Sequence, residues 1–339
     1  MAADSNVRVS LIGLGRAGGF HLASIRALPG VSLGHVFDVD RARAEAVVAE
    51  HGGRIAEDMK QATASADVDA VVVATPTQTH YEYASAALDA GKPVLCEKPL
   101  GTDVGQIDHC FARARERGLP LLVAFQRRFD PSFAEVAAAA HAGRVGALQF
   151  IRSVSRDNPV PSIDYLRTSR GIFHDCVVHD LDLVCHVAGE VPEQVFAFGS
   201  NFVPAIREID DLDNVVIALR FPSGLLASID VSRQGTHGYD QRLEVLGTEG
   251  MVQAENRPRT TAVLSSREGA THAPIDHSFP TRYFEAYRAE FACFLDCVRG
   301  AREVPVTHAD VRQNHRLADA AERSAREGRP VRLAEVDPG

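Results

Sequence analysis

The stretch Val9-Ser10-Leu11-Ile12-Gly13-Leu14-Gly15-Arg16-Ala17-Gly18 constrains the fold more than any other part of the chain. The apolar run Val7 to Ile12 has the continuous hydrophobicity of a buried parallel strand. It runs into Gly13-x-Gly15-x-x-Gly18 and then a helical stretch, Ala17 to Leu28. Each glycine has a distinct use: Gly13 for a tight turn, Gly15 for close backbone approach to a pyrophosphate, Gly18 for close packing of helix on strand. The free N–H groups and positive dipole end of that helix would face the anion. A second apolar run, Val31 to Phe37, ends in Asp38, twenty residues after Gly18, where a carboxylate binds adenosine ribose hydroxyls. The pattern predicts a dinucleotide site that includes Leu14, Arg16 and Ala17 of the turn, with NAD preferred because a 2′-phosphate would meet Asp38. Arg41, one helical turn on, would soften that preference and admit NADP.

A chain of 339 residues is long enough for two domains. Its net charge of −9 argues against a nucleic-acid surface. No apolar run approaches a membrane span. The polar start, Met1 to Asn6, does not resemble a secretory signal. Six scattered cysteines, with no C-x-x-C pair, fit reduced thiols and a cytoplasmic protein. Cys293 and Cys297 fall beside Phe291 and Phe294 on a predicted helix, which points to core packing.

Strand and helix patterns alternate from Val7 to about Phe125, predicting a parallel sheet with helices on both faces. Ligands bind at the carboxyl ends of such strands. Gly13, Asp38, Thr75 and Glu97-Lys98 all follow strand ends and should gather on one edge. Lys98 is either a solvated loop lysine or a cation placed to stabilise a developing alkoxide without a metal.

Beyond the turn Gln126 to Pro131, a helix over Ser132–Ala142 leads to a strand from Ala147 and a polar, proline-broken loop, Ser155 to Pro161. A helix predicted over Phe173–Val187 places Asp175, His179, Asp182 and His186 on one stripe at 3.6 residues per turn. That stripe carries no lysine or arginine, unlike an ordinary solvated face. Asp175 and His179 stand i,i+4, within reach for the carboxylate to orient the imidazole, and histidine is the usual proton carrier near neutral pH. His174, Cys176, Cys185 and His186 point in different directions around this helix and meet no zinc spacing, so no metal is expected. Five strand patterns between Gln194 and Leu264, joined by short turns such as Pro222-Ser223-Gly224, predict a large, mostly antiparallel open sheet. Its uncovered face predicts a homo-oligomer, a dimer or tetramer. Helices over about Tyr283–Val298 and His308–Arg326 close the chain.

With these motifs in view, the chain resembles the Gfo/Idh/MocA oxidoreductases, and within them the inositol 2-dehydrogenase-like branch. The marks are the glycine turn with His21, Thr75-Pro76 with His80, Glu97-Lys98-Pro99, Arg127-Arg128-Phe129-Asp130-Pro131, and Gly171-Ile172-Phe173-His174-Asp175 continuing to His179-Asp180-x-Asp182. The resemblance implies an α/β fold: a Rossmann domain over 1–125, then an α+β substrate and oligomerisation domain over 126–339 whose last helix packs back on the first. It implies Lys98, Asp175 and His179 as the catalytic set. It implies NAD contacts from Thr75, Pro76, Thr77, His80, Glu97 and Lys98. Substrate contacts are implied for Arg127, Asn158, Asp182, Tyr239 and Tyr283. The implied activity is oxidation of a ring alcohol of a cyclitol, myo-inositol foremost. Scyllo-inositol or another sugar is the alternative substrate, and a non-catalytic nicotinamide sensor is the alternative role. The loop with Arg156 and Asn158 departs from the family pattern, which leaves the exact substrate open.

Overall fold

The structure, a computed structural model, describes residues 6–336; residues 337–339 and the start of the chain, 1–5, lie outside them. The described chain divides into two compact units, residues 6–129 with 285–312, and residues 130–284 with 313–336.

The first unit alternates β1 (Val7–Ile12), α1 (Arg16–Ala27), β2 (Val31–Phe37), α2 (Arg41–His51), β3 (Arg54–Ile55), α3 (Met59–Ala64), β4 (Ala70–Val73), α4 (Thr77–Asp89), β5 (Val94–Glu97), α5 (Val104–Arg117) and β6 (Leu121–Ala124). All pairings are parallel, in the order β3-β2-β1-β4-β5-β6. Val9, Leu11, Ile12 and the whole of Val71-Val72-Val73 are fully buried, as doubly covered strands require. Asp40, Asp58 and Asp103 cap α2, α3 and α5, each accepting a backbone N–H three residues on.

The second unit contains α6 (Pro131–His141), β7 (Leu148–Arg156), α7 (Ile163–Leu166), a π-helical turn (Phe173–Val177), α8 (Val178–Ala188), β8 (Gln194–Ser200), α9 (Pro204–Arg207), β9 (Asn214–Arg220), β10 (Leu226–Ser232), β11 (Asp240–Gly247), β12 (Met251–Ala254), a hairpin of β13 (Val263–Ser266) and β14 (Gly269–His272), and α10 (Phe279–Arg282). The chain continues through α11 (Phe284–Val298) and α12 (His308–Glu327) to β15 (Val331–Arg332). Seven strands form a mixed sheet, β12-β11-β7-β10-β9-β8-β15, in which β7 and β10 are parallel and the other neighbours antiparallel. α6 and α8 pack on this sheet. Asp130 caps α6 and forms a buried ion pair with Arg282, whose guanidinium also lies 5.3 Å from the Phe133 ring centroid and 4.9 Å from that of Tyr283. The strand expected near Thr260–Leu264 belongs instead to the separate hairpin.

The boundary at 125/126 differs from the expectation in two ways. The turn Gln126–Phe129 stays with the first unit, and residues 285–312 return to it. Phe291, Phe294 and Leu295 of α11 complete the first unit's core, together with Val306 and Val311. Periodicity shows that a helix has a buried face, but not which core it fills. The last helix differs as well: from residue 313 on it belongs to the second unit, where Asn314 Nδ2 donates to the Val178 carbonyl at 2.7 Å and the Ala197 N–H donates to Ser324 Oγ at 3.0 Å. No two of the six cysteines form a disulfide; Cys293 and Cys297 are core residues, and burial pushes the Cys293 thiol up to about 12.

Candidate active site

In the first unit the glycine turn has the geometry its sequence demands. Gly13 has φ +89°, and a Cβ there would stand 2.5 Å from the Ala74 carbonyl oxygen. A Cβ at Gly18 would stand 2.0 Å from the Gly13 carbonyl oxygen, so only glycine lets α1 meet β1 this closely. A Cβ at Gly15 meets nothing within 4 Å. That open space lies at the N-cap of α1, where a pyrophosphate would reach the N–H groups of Arg16 and Ala17.

Asp38, at the end of β2, accepts the Leu14 N–H on Oδ2 at 2.7 Å and the Asp40 N–H on Oδ1 at 2.8 Å. Its carboxylate is thereby fixed beside the glycine turn, with remaining lone pairs for ribose hydroxyls. Arg41 is turned elsewhere: it donates to Glu57 at 2.7 Å and to Glu45 at 3.3 Å. Arg43 stands by Asp38 instead, with Nη1 3.6 Å from Oδ2. Spacing along α2 does not reveal this choice, because the competing carboxylate, Glu57, lies beyond the helix. Replacement of Asp38 by Ala removes charge-assisted hydrogen bonds to the ribose, each about 1.5–3 kcal/mol. The preference for NAD over NADP should narrow by roughly 10–100-fold. The ratio of kcat/KM for the two cofactors measures this, and an unchanged ratio would show that Asp38 does not read the ribose.

His80 and Glu97 do structural work inside this unit. His80 is buried, with Nδ1 2.7 Å from the Pro99 carbonyl oxygen and Nε2 2.7 Å from that of Thr75. It braces the loop after β4 against the loop carrying Lys98, and burial lowers its pKa. Glu97 is also buried, 3.0 Å from His21 Nε2; burial alone would raise its pKa, but the hydrogen bond to His21 brings it below the ordinary value. The contacts of these two side chains within the unit position Thr75 and Lys98. Thr79 Oγ1 donates to Thr75 Oγ1 at 2.9 Å, and Thr77 opens α4 after Pro76. Lys98 is half-buried just past the end of β5. Arg127 is buried in the turn Gln126–Phe129, while Arg128 donates to Asp310 at 3.3 Å.

In the second unit, the predicted single helix over 173–187 is two segments. Phe173–Val177 is a π-helical turn and α8 starts at Val178. Asp175 therefore lies on the wider turn that leads into α8, and His179 on α8 itself. Arg170 and Gly171, both at positive φ, lead into this turn, and Asp211 Oδ1 accepts the Ile172 N–H at 2.9 Å. Asp175 is held from two sides: Tyr165 OH donates to Oδ1 at 2.7 Å and Arg233 Nη1 donates to Oδ2 at 3.0 Å. Arg233 is fully buried, and its Nη2 donates to Asp211 Oδ2 at 3.1 Å. Sequence reasoning found neither Tyr165 nor Arg233, since both reach Asp175 from other elements.

His179 is half-buried on α8 and Asp182 is buried. Asp180, which the sequence reading passed over, is fully buried and accepts the Ser153 and Ser155 hydroxyls of β7, each at 2.7 Å. The alternation of β7 that turns both serines inward was a signal that could have found it. Tyr283, expected near substrate, is fully buried with its OH donating to Gln241 Oε1 at 3.2 Å. Tyr239 is buried edge-on to it, with centroids 5.9 Å apart. Asn158 Nδ2 donates to the His277 carbonyl at 2.8 Å, tying down the loop after β7. Arg156 pairs with Asp230 on the sheet.

Residues 7–125 match the oxidoreductase family with an NAD-binding Rossmann fold, and residues 133–253 match the Gfo/Idh/MocA C-terminal domain. The chain belongs to the Gfo/Idh/MocA family. It is similar to the inositol 2-dehydrogenase of Rhizobium meliloti (strain 1021), with 36% identity covering 97% of this chain and 99% of that protein. The myo-inositol 2-dehydrogenase of Thermotoga maritima is also 36% identical, again covering 97% of this chain and 99% of its own. Among solved structures, scyllo-inositol dehydrogenase from Lactobacillus casei with bound NAD(H) and scyllo-inositol superposes with a TM-score of 0.91, at 27% identity over 97% of this chain and 100% of that one. This family member is an NAD-dependent oxidoreductase, and its open glycine turn and fixed Asp38 suit that cofactor. Among the described residues no helix is long and apolar enough to cross a membrane.

Proposed function

We infer that this protein oxidises a ring secondary alcohol of a cyclitol, myo-inositol to 2-keto-myo-inositol, with NAD as acceptor. One observation carries the reading. A chain 36% identical almost end to end with an inositol 2-dehydrogenase has both a lysine after β5 and a buried, clamped aspartate four residues before a histidine. Bound NAD would supply the hydride acceptor for the ring carbon. His179 accepts the hydroxyl proton as general base. Lys98 donates a hydrogen bond to the oxygen as it becomes alkoxide-like. Asp175, fixed by Tyr165 and Arg233, orients His179 and stabilises its cationic form. Asp182 and Tyr239 contact substrate hydroxyls, with Arg127 and Asn158 at the edge of the substrate set.

The protein acts as a homo-oligomer in the cytoplasm, a dimer or tetramer built on the second unit's sheet. Phe198, Val216, Leu226, Leu246 and Met251 stand exposed on that sheet, and the neighbours of Val216, Leu226 and Leu246 along their strands are buried. An apolar face of this kind is normally covered.

The test is NADH formation with myo-, scyllo- and D-chiro-inositol, glucose and xylose, repeated with NADP. Turnover on myo-inositol with NAD is the expected result. Preference for scyllo-inositol would favour the second reading, which the Lactobacillus casei structure supports. Turnover on an aldose alone would overturn the cyclitol substrate. Silence across the panel with NADH still bound would favour a sensor.

A further inference from the structure

We propose that His174, His315, Asp319 and Glu322 form a binding site for a first-row divalent metal ion such as zinc, which ties the turn carrying Asp175 to the last helix. The groups come from two places in the second unit. His174 belongs to the π-helical turn Phe173–Val177, next to Asp175. His315, Asp319 and Glu322 stand i, i+4 and i+7 on α12, one face of a helix.

Their distances fit a shared ion. His174 Nε2 lies 3.0 Å from Asp319 Oδ1 and 3.4 Å from Glu322 Oε2. His315 Nε2 lies 3.6 Å from Asp319 Oδ2. One donor atom from each of His174, His315 and Asp319 falls within 4.8 Å of the others. Ligands about 2.0–2.2 Å from a tetrahedral ion stand about 3.3–3.6 Å apart, so small side-chain adjustments would close the set. Two imidazoles with carboxylates suit zinc, cobalt or nickel better than the oxygen-only shells of calcium or magnesium.

The alternative is an imidazole simply ion-paired to these acids, and metal titration separates the two. The His174 side chain is only 1% exposed, and its Nε2 faces two carboxylate oxygens at once, Asp319 at 3.0 Å and Glu322 at 3.4 Å, with His315 on the far side of Asp319. An ion placed among these groups would meet a donor from each of them. Two carboxylates also give the cluster negative charge that a cation would meet; Arg170 adds positive charge nearby without entering the donor set.

Spacing along one helix did not reveal the site, because three of its donors lie some 140 residues further along the chain. The inference does not depend on the proposed substrate. Its test uses the full-length protein treated with a chelator, dialysed, and titrated with Zn²⁺ and separately with Co²⁺. Expected are one saturable equivalent per chain, visible absorption from bound Co²⁺, and a rise in Tm with Zn²⁺. Asp319→Asn and His315→Gln should each weaken binding at least as much as loss of a supporting outer-shell partner does, about 10–100-fold. Both variants are checked for an unchanged metal-free circular dichroism spectrum, and Glu322→Gln, at a more exposed position, replaces either that misfolds. Absence of saturable binding, or binding that survives the substitutions in folded protein, overturns the site.

Discussion

Lys98→Ala lowers turnover by roughly 10²–10⁴-fold while NAD still binds. Lys98 sits beyond β5, on the loop that His80 braces through Pro99, and Glu97 beside it is turned inward to His21. The backbone that presents Lys98 is therefore held by neighbouring residues and survives loss of its side chain. On the proposed mechanism, what disappears is one cationic donor to the oxygen whose charge develops as hydride leaves. His179→Ala should cost a similar factor by removing the proton acceptor. Steady-state kcat with the best substrate measures the effect, and quenching or calorimetric titration with NADH measures cofactor binding. Near-normal turnover in either variant would remove that residue from the mechanism; lost NADH binding would assign Lys98 to the cofactor instead.

The second large effect is on stability. Arg233→Met leaves the buried Asp175 and half-buried Asp211 carboxylates facing one another's charge without the guanidinium that bridges them. Breaking a buried ion pair from one side typically costs about 3–5 kcal/mol. Urea unfolding of the variant should show that loss, and activity should fall even in the folded fraction because Asp175 loses the guanidinium that holds its Oδ2. Arg233→Lys should recover only part of both, since an ammonium is a point charge and cannot present the planar fork to two carboxylates at once. A loss below about 1 kcal/mol would mean that the two carboxylates find other partners.

The mixed sheet and the corrected helix show where linear patterns stop being informative. β7 to β11 were legible because alternation of buried and exposed side chains is local. That β7 runs parallel to β10 was not, since pairing depends on which strands meet. The stripe of Asp175, His179 and Asp182 was legible as polar residues on a helix. The π-helical turn within it was not, because the anchor of that turn, Asp211, lies beyond α8.

By itself the sequence determined what rests on short-range rules. These are the glycine turn and the Asp38 that follows β2, the alternating strands and helices of the first unit, and the chemical identity of Lys98, Asp175 and His179. Steric limits on φ and ψ and hydrophobic periodicity act within a few residues, so a linear reading captures them. The tertiary structure alone decided the partners: Glu57 for Arg41, His21 for Glu97, Arg233 and Tyr165 for Asp175, Gln241 for Tyr283, and the first core for α11. Each is a choice among many polar or apolar groups of similar local character. Each is settled only when burial makes an unpaired charge or an open core face too costly to leave.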